Sequence, residues 1–138
     1  DNTTTQIFIA YNSVSVSGTN EHQCRLGTSA GIVTTGYAGG ATQGGAHASD
    51  VTAIRLGYNY AATAGFTGHC VITKVPGKNI WVSNSVFESF TLTTGAGIAG
   101  NYGASQVTLP GTLDRLQFLT VGGVNTFDKG SIVVRYES

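Results

Sequence analysis

Apolar residues in this chain come in short alternating runs, and a turn signal cuts each run after about eight to twelve residues. Residues 6–11 (QIFIAY), 69–75 and 130–136 alternate with the period of two that a half-buried strand requires. The segments PGKN (76–79), PG (110–111) and GGVN (122–125) supply the turns. No segment holds a helical period for more than one turn. Composition agrees. Gly is the commonest residue at 20, Thr, Ser, Val and Ala are plentiful, and the straight-chain helix formers Glu, Lys, Leu and Gln are scarce. The pattern predicts an all-β chain, an antiparallel β-sandwich of jelly-roll type with about eight to ten short strands. No linker, charge run or repeat divides it, so one domain is expected over residues 1–138.

Along the chain, residues 22–26 and 31–37 read as a hairpin around Thr28, Ser29 and Ala30. Residues 36–50 (GYAGGATQGGAHASD) show no periodicity and read as a long loop, the kind that is usually functional or mobile. A strand resumes over 51–60, and further strands cover 79–84 and 86–93. Residues 95–103 (GAGIAGNYG) read as a second Gly-rich loop, followed by a short strand at 106–109 and a long one at 112–121. The last strand turns Ile132, Val134 and Tyr136 inward.

Charge excludes some partners. Seven Lys and Arg balance seven Asp and Glu, and charged residues are 10% of the chain. That removes the electrostatic basis for binding nucleic acid or an anionic membrane. No apolar run approaches the roughly 18 residues of a membrane span, and no signal-like segment opens the chain. The first residue is Asp1 and Met is absent, which suggests a proteolytic fragment or a domain numbered from its own start. Cys24 and Cys70 read as buried thiols, and with three scattered His they fit no metal-ligand spacing. No cofactor is expected.

Glycan hydrolysis needs two carboxylates facing a cleft. Asp50, Glu88 and Asp114 are the carboxylates outside termini and turns, and no partnership among them is evident. His47, Ser49 and Asp50 spell a nucleophilic triad only in composition, because loop residues this close in sequence do not reach its geometry. A non-enzymatic, binding role fits better. Tyr37, His47, Tyr58, Tyr60, Asn101 and Tyr102 lie in or beside the predicted loops. Aromatic rings stack on the apolar faces of sugars, and Asn, Asp and His bond hydroxyls. The expected ligand-binding set is Tyr37, His47, Asp50, Asn101 and Tyr102, with Asn101 and Tyr102 foremost. Outward Val71, Val75, Val133 and Leu119 suggest a surface covered in a symmetric oligomer.

The second half carries a resemblance. A strand GFTGHCVITKV (65–75) is followed by a single Trp81 in NIWVSNS (79–85), and the chain ends in TLDRLQFLTVGGVNTFDKGSIVVRYES (112–138). This order resembles the carboxy-terminal jelly-roll domains of bacteriophage tail fibres and related virion appendages. There an Asp-Arg-apolar strand precedes a Phe-x-x-Gly turn and a final Ile-x-x-x-Tyr strand. The likeness covers residues 65–138, and the earlier part only by pattern. It implies a virion location, a homo-oligomer (a trimer), and reversible contact with a host surface glycan or protein, or with other virion proteins. Two other readings remain open at this point. One is a capsid decoration or cementing protein on the phage head. The other is a small secreted lectin, which expects a Cys24–Cys70 disulfide.

Overall fold

The computed structural model describes residues 3–58 and 61–138. In chain order its strands are β1 (Gln6–Val16), β2 (His22–Thr28), β3 (Gly31–Ile32), β4 (Ala38–Gln43), β5 (Ala46–Ser49), β6 (Ile54–Arg55), β7 (Ala64–Lys74), β8 (Ile80–Thr91), β9 (Gly97–Thr108), β10 (Arg115–Thr120) and β11 (Phe127–Glu137). Among the described residues there is no helix. A seven-stranded sheet runs β11-β1-β7-β8-β9-β4-β5. The other sheet is β10-β2, with β3 and β6 sharing the far edge of β2. All pairings are antiparallel, and the two sheets pack around one core, so the chain is a β-sandwich. Seven strands against four is a more unequal division than an eight-stranded jelly roll implies.

Alternation explains which face is buried. Ile7, Ile9 and Tyr11 of β1 point inward, and Gln6, Phe8 and Ala10 point outward. A bulge at Asn12 and Ser13 then inserts an extra residue, so Val14 and Val16 are buried as well. Gly130, read from the sequence as a turn residue, instead lies inside β11 against this bulge: a Cβ there would stand 2.4 Å from the Ser13 carbonyl oxygen.

The middle of the large sheet has small inward residues, Ser83 and Ser85 on β8 with Gly103 and Ser105 on β9. They let the second sheet approach closely, since a Cβ on Gly103 would meet the Arg55 carbonyl oxygen of β6 at 2.8 Å. To one side of this waist, aromatic rings fill the core. Phe66 stacks on Phe87 at 4.5 Å and on His22 at 4.7 Å, with Tyr11 edge-on to all three. Each such ring pair adds about 0.5–1.5 kcal/mol beyond the area it buries. Trp81 is buried in the core. Cys24 and Cys70 are free, buried thiols, so the disulfide expected of a secreted lectin is not formed. The chain's two ends meet: Thr5 N donates to Glu137 O at 2.7 Å, and the Thr3 and Ser138 hydroxyls lie 2.9 Å apart.

The 22–37 hairpin forms as expected, with a short second strand. The two loops do not. Residues 38–49 are the hairpin β4–β5, and most of 95–103 belongs to the twelve-residue β9. Gly44 and Gly45 sit at φ 57° and 85°, the left-handed pair that a two-residue hairpin turn needs. Conversely, the strand expected over 51–60 shortens to Ile54–Arg55, and its last residue, Tyr60, lies outside the described residues.

Candidate functional site

Register in the large sheet decides which of the expected binding residues share a surface. Val86 of β8 pairs with Tyr102 of β9, Tyr102 with Thr42 of β4, and Thr42 with His47 of β5. Directly opposite residues point to the same face, so these four side chains form one row across the outer face. The adjacent row reads Asn84, Ala104, Gly40 and Ser49. Its Ala104 and Gly40 are small, and the result is an open depression of about 530 Å³. Tyr102 and His47 flank it, two strand spacings apart or about 10 Å.

Glycines set the posture of both rings. A Cβ on Gly100 would stand 2.7 Å from the Tyr102 hydroxyl oxygen, so the ring lies along its own strand over that position. Likewise a Cβ on Gly40 would stand 2.8 Å from His47 Cε1. Each ring therefore lies low and turns a face to solvent, and Tyr102 is 56% exposed. The hydroxyls of Thr42 and Ser49 stand beside them, with Ser49 Oγ 3.4 Å from His47 Nε2. No lining residue carries a fixed charge.

The other three expected ligands are framework residues, and the expectation is corrected for each. Tyr37 is 2% exposed. Its hydroxyl accepts from Leu26 N at 2.9 Å and donates to Val33 O at 3.0 Å. Leu26 lies on the β2 edge between the rungs made by β3 and by β6, so the hydroxyl takes the place of a missing ladder partner. Burial pushes the Tyr37 phenol up to about 12. Asp50 is 7% exposed and makes an Asx turn: its Oδ1 accepts from Thr52 N at 2.8 Å, Thr52 Oγ1 at 2.7 Å and Ala53 N at 3.2 Å. That turn carries the chain from one sheet to the other. The same carboxylate and Glu21 flank Arg55, at 3.7 and 3.1 Å. Because Asp50 points inward, it takes no part in the His47–Ser49 contact on the outer face, and no triad is assembled.

Asn101 is 1% exposed. Its Oδ1 accepts from Tyr58 N at 3.1 Å and Gln43 Nε2 at 3.2 Å, and its Nδ2 donates to Ala99 O at 3.3 Å. Asn101 and Tyr102 are neighbours on one strand and face opposite sides, so only one of them can reach a ligand on the outer face. The sequence reading missed Gly40, Thr42 and Ala104, the floor of the depression. The Gly-Gly turn was the signal that would have exposed the β4–β5 hairpin and with it these positions.

Among the described residues, no group of three or more His, Cys, Asp and Glu side chains is placed to hold a metal ion. No protein-family model, curated protein or solved structure matches the chain.

Proposed function

We propose that the chain is a non-catalytic binding module, and that the depression between Tyr102 and His47 takes a neutral sugar unit of a host surface glycan. The observation that carries this is the pair of exposed rings, Tyr102 and His47, that border one open depression lined also by Gly40 and Ala104. A pyranose presents apolar C–H faces and a rim of hydroxyls. The rings offer stacking surfaces to the former, and Thr42, His47, Ser49 and the Tyr102 hydroxyl offer hydrogen bonds to the latter. The lack of fixed charge in the lining favours an uncharged saccharide over a sialylated or phosphorylated one. The depression is shallow, so a single contact is weak and several copies on one particle would act together. The motifs of residues 65–138 support a setting in a bacteriophage tail fibre or related virion appendage.

The experiment is a screen of the purified chain against immobilised bacterial surface glycans, followed by titration of hits. Tyr102→Ala and His47→Ala should each weaken binding about five- to tenfold, the worth of one stacking contact, with unchanged circular dichroism. Affinity should vary little with salt, as a neutral ligand requires. Absence of any glycan hit, or hits indifferent to both substitutions, overturns the reading.

A further inference from the structure

We propose that the outward face of the smaller sheet carries a second binding site, centred on Arg25, for the carboxylate of a small organic acid. Three arginines share this face. Arg25 lies on β2, Arg115 of β10 pairs with Gly27 of β2, and Arg55 of β6 pairs with Gln23 of β2. Residues two apart on a strand share a face, and so do residues directly opposite, so all three point away from the core. Two of them already hold a carboxylate of the chain. Arg115 Nε and Nη2 donate to Asp114 at 2.7 and 3.2 Å. Arg55 lies between Glu21 at 3.1 Å and Asp50 at 3.7 Å. Arg25 pairs with no carboxylate among the described residues.

Arg25 is nevertheless held in place. Its Nε donates to Thr52 O at 2.9 Å, and the residue is partly buried. With Nε engaged, the end of the guanidinium fork remains, and its two Nη groups match the two oxygens of one carboxylate. Asp50 is not that carboxylate. Its Oδ1 accepts from the Thr52 and Ala53 amides and the Thr52 hydroxyl, and its Oδ2 accepts from Gln23 Nε2. The Asx turn thus gives Arg25 a carbonyl and directs its own charge to Gln23 and Arg55.

Arg25 lines an open depression of about 560 Å³ bordered by the segment 49–52 and the turn 120–123. Leu119 lines it too, and lies diagonally across the β2–β10 ladder from Arg25, because Arg25 pairs with Gln117. Diagonal neighbours stand about 7–8 Å apart, which places an apolar surface beside the body of a ligand whose carboxylate sits on Arg25. Exposed Gln117, directly opposite Arg25, offers its amide to a hydroxyl of the same ligand. Charge selects the class. Arg25 answers one negative charge, whereas a phosphate dianion would bring a second one close to Asp50 and Glu21, whose shared cation is already engaged. Two sources of carboxylate fit this chemistry, a uronic acid and a plain aliphatic acid. The site shares only Ser49 with the Tyr102–His47 depression and stands independently of it.

Amide NMR of the full chain, titrated with glucuronate, acetate, glucose and inorganic phosphate, tests this. Glucuronate or acetate should shift the amides of residues 23–25, 49–52 and 119–123 saturably, and glucose should leave them in place. Arg25→Gln should weaken carboxylate binding at least tenfold, with unchanged circular dichroism. Arg25→Lys keeps the charge, loses the fork and should weaken it at least threefold. Arg115→Gln, on the same face but paired with Asp114, should leave the affinity as it is. Tighter binding of glucuronate than of acetate assigns the site to acidic sugars, and affinity for glucuronate no greater than for acetate assigns it to plain acids. No saturable shift with either acid overturns the proposal. So do affinities of both Arg25 variants equal to that of the unaltered chain, or glucose or phosphate binding there as tightly as the acids.

Discussion

His22 gives the chain a defined acid sensitivity. The imidazole is buried among the rings of Tyr11, Phe66 and Phe127. Desolvation of the charged form pushes its pKa down to about 4 from 6.5. In the unfolded chain the ring takes up its proton as pH falls through 6.5, while the folded chain takes it up only near 4. Between those values the unfolded state binds more protons, so stability is full above pH 6.5 and declines as pH falls towards 4. At 1.36 kcal/mol per unit the whole loss is about 3 kcal/mol, of which about 2 kcal/mol is gone by pH 5.

Acid acts on more of the chain than this one ring, so the measurement must be a difference. His22→Phe keeps a flat ring against Phe66 and removes the titration. Urea unfolding followed by the fluorescence of the single buried Trp81 gives the free energy for both chains across the range. The unaltered chain should lose about 3 kcal/mol relative to His22→Phe between pH 6.5 and 4. Parallel pH profiles for the two would refute the burial argument.

Asn101→Ala should cost about 1–3 kcal/mol in urea unfolding, because Tyr58 N and the Gln43 amide lose a buried acceptor, while glycan binding stays within about threefold. Arg55→Met leaves Asp50 and Glu21 without their shared cation and should cost about 3 kcal/mol by the same assay. Gly45→Val forces a β-branched residue to φ 85° and should cost about 1–3 kcal/mol, lowering the melting temperature in calorimetry. Burial holds the Cys70 thiol up at about 12 and also raises that of Cys24 well above its ordinary value, so a thiol reagent should find neither in the folded chain and both in urea.

The strands that could be read from the sequence are those whose inward residues are large. Ile7, Ile9 and Tyr11 on β1, and Cys70 and Ile72 on β7, contrast with the residues between them and give a visible period. Strands β4 and β9 carry Gly, Ala, Ser and Thr on both faces, so hydrophobic contrast vanishes although the ladder is intact. Their small residues have structural reasons that no local window contains. Gly103 makes room for the β6 backbone, and Gly40 and Gly100 make room for rings.

The candidate site was half legible for the same reason. Residue type singles out His47 and Tyr102, which share the outer face, but it does not say which face each residue occupies. With 97–108 read as a strand, parity alone would have separated Asn101 from Tyr102. Asp50 and Arg55, five residues apart, show in the sequence only as two loop-flanking charges. Their near-complete burial depends on the sheet-to-sheet crossover, which only the fold supplies. Of the three residues expected inward on β11, Ile132 and Val134 pack against the core, whereas Tyr136, opposite Ile7 at the end of the edge strand, is 69% exposed.

The meeting of the two ends across β1 and β11 has a mechanical consequence. Both ends leave from the same end of an antiparallel pair, and β11 is the outermost strand of its sheet. Tension applied between them loads the rungs one after another, starting at Thr5–Glu137, instead of shearing all of them at once. Under such a pull the module unzips from its rim, and β11 peels away before the rest of the sandwich feels the strain.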